Sequence, residues 1–393
     1  MAEAAAVGQG NVANVARRWL ALAVLALAAA CQVVPKGPPK PVEKPPETVP
    51  VGPALPTDTD RHRIALLVPV TGMNAAVGEA IANAANLAVM DTGGKSLRVT
   101  TYDTTLGAAE AARSAIADGN RLILGPLLAE DVRAAAPIAR AARVPLISFS
   151  NDTSVAGNGA FIMGFVPTQS IDRVVRYARS RGMVTFAGLV PNGTYGQRAG
   201  QAMIKAVEAS NGRLVAMQNY DRSQSAMTSA VTKLALNGKF DAILIADSGR
   251  VAVQMVPSIR RSGGATAKIL GTELWNTEAG LARNPLLHGA WFASVSDGLY
   301  AQLSAKYRAR FGKPPYRLAS LGYDAVLLAN KIAGSWKVGQ PFPVSQLTDA
   351  GGFAGIDGAF RFNRDGIAER ALEVQQINPA GSAVIAPAPR TFE

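Results

Sequence analysis

The chain has 393 residues, 48% of them hydrophobic and only 17% charged, with a formal charge of +12 at pH 7. That length predicts two or three domains with ample apolar material for their cores. The positive balance is scattered: no run of Lys or Arg exceeds two, and Arg17-Arg18 and Arg260-Arg261 lie far apart, which argues against a nucleic-acid-binding face. A basic surface suits acidic partners only in the weak sense of a long-range field.

Residues 1–31 have the features of a targeting segment. Arg17-Arg18 is a positive start, and residues 19–30 form an apolar stretch too short to span a bilayer comfortably. Its end, Leu27-Ala28-Ala29-Ala30-Cys31, resembles the lipobox of bacterial lipoproteins, with Ala28 where leucine is usual. Lipidation at Cys31 is the expectation, with an ordinary signal peptide cleaved near Ala30 as the alternative. Cys31 is the only cysteine, so one molecule forms no disulfide, Cys-based metal site or redox pair. Residues 32–60 read as a disordered spacer; nine prolines between 33 and 56 keep it extended and solvated.

From residue 63 the pattern changes. Residues 63–70 (RIALLVPV) are continuously apolar, as in a strand covered on both faces, and Thr71-Gly72-Met73-Asn74 ends the run. A helix is predicted over 77–90, a strand over 97–102 leaving Asp103 at its end, and a helix over 108–117. Residues 122–124 and 144–149 read as buried strands, joined by an alanine-rich helix over 129–142. A crossover helix makes its two strands parallel neighbours, and ligands of such sheets sit beyond the carboxyl ends of the strands. The turns Gly125-Pro126-Leu127 and Ser150-Asn151-Asp152 are therefore expected to line one crevice.

Residues 161–167 read as a crossing segment, after which the alternation restarts. Helices are predicted over 170–180, 195–209, 226–236 and 251–261, with strands over 184–190, 214–218, 240–246 and 268–270. Asp247 ends one of these strands, and Glu273 and Trp275 follow another. Beyond Gly289 the pattern is less regular: a short strand at 291–293, helices over 300–311 and 319–333, and alternating segments at 358–362 and 373–377. Two similar sets of strand-helix units imply two similarly built lobes.

Catalytic chemistry has little to stand on. His62 and His288 are the only histidines, and no G-x-S-x-G motif occurs. Neither a histidine-based metal site nor a cofactor is expected. Gly94-Lys95-Ser96 imitates the end of a P-loop, but Val89 stands where its first glycine belongs. Gly157-Asn158-Gly159 imitates a dinucleotide fingerprint, but Ile162 takes the place of the third glycine.

Several segments together carry a resemblance: RIALLVPVTG with VGEAIANAANLAV, TYDTT, LILGPLL, VPLISFSN, the YG of PNGTYGQ, LGYDAV and FRFNRDGIAERALEV. In this order they resemble the type I periplasmic binding proteins, including the leucine and branched-chain amino-acid binders, and more closely the branch of penicillin-binding protein activators. The resemblance implies an α/β fold of two lobes, each a doubly wound, mainly parallel sheet, with three hinge crossings near Val166, Val295 and Trp336. Lobe one would comprise 61–166 and 295–335, lobe two 167–294 and 336–385, and 386–393 a tail. In the transport members the loops after the first and fourth strands and the YG tyrosine contact the ligand; here those are Thr71, Gly72, Met73, Asn74, Ser150, Asn151, Asp152 and Tyr195.

Asp103, Leu127, Asp247, Glu273 and Trp275 complete the candidate cleft. Each has a structural alternative: Ser150 and Asn151 as a turn, Asp103 as a self-stabilising loop, Tyr195 as a packed helix start, Trp275 as core. Amino-acid binders place hydroxyl residues after the third strand, where this chain has Pro126-Leu127-Leu128. The resemblance thus implies a non-enzymatic, lipid-anchored envelope protein regulating peptidoglycan synthesis through a penicillin-binding protein. The alternative is the substrate-binding protein of an ABC importer for amino-acid-like or other small polar ligands. Membrane attachment would be through Cys31, and Gln32 after it favours the outer membrane over the inner.

Overall fold

The computed structural model describes residues 60–278, 280–389 and 392. The targeting segment, Cys31 and the proline spacer lie outside the described residues, apart from Asp60 at the end of the spacer. The apolar run forms β1 (His62–Val68), with Ile64 through Val68 wholly buried. Its parallel neighbours are β2 (Leu97–Asp103) and β3 (Leu122–Leu124), followed by β4 (Leu146–Ser148) and β5 (Ala160–Ile162). The strand order is β2-β1-β3-β4-β5. Successive side chains point to opposite faces. Ile64, Leu66 and Val68 meet the alanines of α1 (Ala75–Asp91), while Ala65 and Leu67 meet α2 (Ala108–Ala117) and α3 (Ala129–Ala141). A buried aliphatic side chain of this size contributes about 1.5–3 kcal/mol. An alternating strand would lose one of these two interfaces.

The chain leaves the first sheet over residues 163–166 and builds a second unit. This comprises α4 (Pro167–Ser180), β6 (Thr185–Pro191), α5 (Thr194–Ala209), β7 (Arg213–Tyr220), α6 (Gln224–Ala235), β8 (Ala242–Ile245), α7 (Gly249–Arg261), β9 (Lys268–Gly271) and β10 (Trp291–Ser294). It returns over 295–297 into α8 (Gly298–Phe311) and α9 (Ala319–Ala333), which join the first lobe's core. A small antiparallel sheet of β11 (Phe353–Gly355), β12 (Gly358–Phe362) and β13 (Ala368–Arg370) adds Phe353, Phe360 and Phe362 to that core. The chain then crosses at Ala371-Leu372 into β14 (Glu373–Asn378) and β15 (Gly381–Ala386). The second sheet is mixed, in the order β15-β14-β10-β9-β8-β6-β7, with β14 antiparallel to both of its neighbours, β10 and β15.

The third crossing thus falls at 371–372, not near Trp336. Trp336 is buried in the first lobe, stacked on His62 at 3.9 Å between ring centroids. Residues 336–370 accordingly pack with the first lobe rather than the second.

The two lobes repeat one local device. In each, a helix starts directly above the end of a strand, so closely that a Cβ on Gly78 would stand 1.8 Å from the Pro69 carbonyl oxygen. On Gly196 it would stand 1.6 Å from that of Pro191. Only glycine permits this approach, which draws the first turns of α1 and α5 down onto their sheets.

Candidate functional site

Beyond the carboxyl ends of the strands, the facing edges of the lobes enclose a cleft of about 440 Å³, within the usual range for small-molecule sites. The first lobe contributes Leu127 and Leu128 after β3, Glu130 and Arg133 on the first turns of α3, and Ser150, Asn151 and Asp152 after β4. The second contributes Pro167 at the start of α4 and Thr194, Tyr195 and Arg198 on α5.

Asp152 stands at the centre. It accepts a hydrogen bond from Arg133 Nη2 at 2.9 Å and another from Arg198 Nη2, so one carboxylate is clasped by a guanidinium from each lobe. The Ser154 amide donates to it at 2.9 Å. Burial works to raise its pKa, but Ser154 and the two guanidiniums outweigh that and hold it below the usual carboxylate range. Ser150 is engaged within the same loop, its hydroxyl accepting from the Asp152 amide at 3.1 Å. Ser148, beneath it, accepts from the Ser150 amide at 2.9 Å and donates to the Pro126 carbonyl at 2.8 Å. Ser150 therefore shapes the turn, while Asn151 is exposed on the cleft wall.

Tyr195 also lines the cleft, but its hydroxyl turns into the second lobe. It donates to Glu273 Oε1 at 3.0 Å and lies 3.0 Å from Thr272 Oγ1. Burial, together with the nearby Glu273 charge, pushes the phenol well above its ordinary pKa. Burial pushes the Glu273 carboxyl up to about 7, against the opposing effects of a backbone hydrogen bond and Tyr195. Glu273 faces the hinge side of the lobe rather than the cleft.

The remaining candidates stand apart from this cleft. Asp103 accepts from the Thr71 hydroxyl at 2.6 Å and from the Val70 and Thr105 amides at 3.0 Å each, tying the loops after β1 and β2 together. Burial opposes these bonds, which nevertheless lower its pKa to about 2. Thr71, Gly72 and Asn74 are exposed on that tied pair of loops. Asp247 is 2% exposed and fully engaged by Tyr220, Arg222 and the Ser248 amide. Trp275 is equally buried, its Nε1 donating to the Asp247 carbonyl at 2.9 Å and its ring packed near Phe292. The loop carrying Trp275 folds back over Gly271 instead of projecting, which makes this tryptophan a core residue.

Sequence reasoning missed Arg133 and Arg198. The available signal was position: Arg198 lies three residues after Tyr195 and so shares its helix face, while Arg133 lies four after Ala129 on the first turns of a helix that begins at the crevice. What the spacing does not encode is that α3 and α5 approach the same aspartate from opposite lobes.

The arrangement defines a two-lobed binding protein with its recognition cleft between the sheets. The chain belongs to the family described as periplasmic binding protein, whose model matches residues 62–382. Over 176 residues it is 26% identical to the uncharacterized protein RP748 of Rickettsia prowazekii (strain Madrid E), a match covering 44% of this chain and 47%, about half, of that relative. Among solved structures it is similar to the leucine-binding protein LivK of Thermotoga maritima, at 20% identity and a TM-score of 0.63 over 84% of this chain and 99% of that one. It is also similar to a solute-binding protein of an ABC transporter from Rhodopseudomonas palustris BisB5 in complex with 3,4-dihydroxybenzoic acid, at 19% identity and a TM-score of 0.61 over 84% and 99%. These likenesses establish the two-lobed fold of the leucine-binding kind.

Proposed function

We propose that the cleft binds a small, apolar, zwitterionic ligand of the amino-acid type, and that the protein serves as the substrate-binding component of an ABC importer. The observation behind this reading is the charge set around Asp152. Arg133 and Arg198 suit a ligand carboxylate, Asp152 and Glu130 suit an ammonium group, and Leu127, Leu128 and Pro167 offer an apolar wall. Arginine donors from α3 and α5 take over the carboxylate-holding role that hydroxyls after the third strand fill in amino-acid binders. The leucine-binding and dihydroxybenzoate-bound structures lend support, since both named ligands are compact carboxylic acids with an apolar body. Calorimetric titration with leucine, its decarboxylated amine and its deaminated acid tests the reading: binding should require both charged groups.

A second reading, regulation of a penicillin-binding protein by direct contact from a lipid anchor at Cys31, is favoured by a different surface. Met73 is 99% exposed and Leu106 85% exposed, on loops joined by a 2.9 Å hydrogen bond from Thr105 Oγ1 to the Thr71 carbonyl. Exposed large apolar side chains on two joined loops suit a protein partner. Capture of a peptidoglycan synthase by the intact chain, lost on Met73→Ser with Leu106→Ser, is the outcome this reading requires; equal capture by the double variant counts against it.

A further inference from the structure

At the hinge, away from the cleft, the three crossings surround a small cavity of about 20 Å³. Phe165 and Val166 come from the first crossing, Ser294 and Val295 from the second, and Arg370 and Leu372 from the third. Glu273 and Arg317 close it. The volume suits one water-sized or halide-sized particle.

The side chains around the cavity have unsatisfied donors. Arg370 is 6% exposed and Arg317 8%. Nε and Nη1 of Arg370 and Nε of Arg317 are buried without a hydrogen-bond partner from the protein, as is Oε2 of Glu273. Arg370 donates only through Nη2, to the Met163 carbonyl at 2.7 Å. Its faces are covered by Phe165 at 4.9 Å and Phe360 at 5.2 Å from ring centroid to guanidinium carbon, which leaves its edges as the route to a partner.

Charge makes the case sharper. Among the described residues, no carboxylate stands at ion-pair distance from Arg370. The nearby acids are committed elsewhere: Asp357 holds Arg317 Nη1 at 2.6 Å and the Ser320 hydroxyl at 2.7 Å, and Asp324 accepts the Ile356 and Asp357 amides at 2.6 and 3.3 Å. Asp357 and Asp324 favour the charge of Arg370 from beyond hydrogen-bond distance, so its remaining donors stay unpaired, and a buried charged group with unpaired donors is costly. The three unpartnered nitrogens carry four N–H bonds, two of them on Nη1; one water has two lone pairs, whereas a halide accepts from more donors at once.

We propose that this cavity is a halide site, in which a single chloride accepts hydrogen bonds from the unpartnered donors of Arg370 and Arg317 at the junction of the three crossings. Because all three crossings wall the site, the bound ion ties them together and rigidifies the hinge. The proposal is independent of what the cleft binds.

Two measurements on the wild-type protein test it. Melting temperature is followed in potassium chloride, bromide and gluconate at constant ionic strength, and crystals grown in bromide are searched for anomalous scattering. A melting temperature higher by about 2 °C or more in either halide than in gluconate, with an anomalous peak beside Arg370 and Arg317, is the expected result. Equal melting temperatures in halide and gluconate, or a cavity without an anomalous peak, overturn the proposal in favour of water. Arg370→Lys, which keeps the charge but removes the unpartnered Nε and Nη1 groups, should lose the halide effect, whereas Glu273→Gln should keep it. If Arg370→Lys does not fold, the wild-type melts and anomalous map decide alone.

Discussion

Asp152, on the loop after β4 of the first lobe, accepts a hydrogen bond from Arg198, on α5 of the second. This pair spans the cleft directly, while Arg133 holds the same carboxylate from the first lobe alone. Under the proposed function, Arg198 is the cleft residue that both lobes and the ligand share. Arg198→Ala is expected to weaken ligand binding at least about tenfold, as for a lost charge-assisted bond. The stability cost should stay within about 1 kcal/mol because the pair is partly solvated. Calorimetry beside thermal melts separates the two effects.

Tyr195 contributes through its hydroxyl. Tyr195→Phe leaves Glu273 Oε1 without its donor in a site where burial already disfavours the charged form. A loss of about 1–3 kcal/mol is expected, read as a shift of the urea midpoint with the slope unchanged.

The same glutamate gives a pH signature. Its pKa is about 7 folded against about 4.5 unfolded, so between these values the folded state holds the extra proton and stability falls as pH rises. Glu273→Gln should flatten that decline between pH 5 and 8. Asp103 and Asp152 have the opposite sign: their pKa values are lowered on folding, so their stabilisation is present above pH 4 and is lost as the medium becomes more acidic. If wild type and Glu273→Gln share the same melting profile across pH 5–8, the raised pKa is not real.

Trp275 distinguishes core from cleft. Trp275→Ala should cost about 3–5 kcal/mol through cavity formation and leave affinity unchanged at temperatures where the variant is folded. A large affinity loss without destabilisation would instead place the indole against ligand.

Gly196→Ala tests the helix seat. The added methyl meets the Pro191 carbonyl and has to push the first turn of α5 away. Since Tyr195 and Arg198 ride on that turn, the variant should lose ligand affinity as well as stability, both visible in one thermal-shift titration.

Much of the fold was legible because strand and helix announce themselves locally. The continuous apolar run at β1 demanded two covered faces, and the alanine-rich stretch that became α3 demanded a crossover, which together impose a parallel sheet. The third crossing was not legible. Trp336 looks like a punctuating aromatic in a polar stretch, and nothing near it in sequence reveals that it stacks on His62, the first residue of β1. The site shows the same division. Leu127, Ser150, Asn151 and Tyr195 were nominated from their places at strand ends and helix starts, and all four line the cleft. Arg133 and Arg198 were missed because their role comes from the convergence of two helices in different lobes. Asp247 and Trp275 were nominated by the same end-of-strand rule, yet their loops fold inward, and inward and outward turns read alike in sequence.

The most direct measurement is calorimetric titration of wild type and Arg198→Ala with leucine and related apolar amino acids. Saturable one-to-one binding to wild type, weakened at least about tenfold in the variant, is the predicted result. Absence of binding by wild type across the series, or equal affinity in both proteins, would contradict a cleft built around Asp152 and its two arginines.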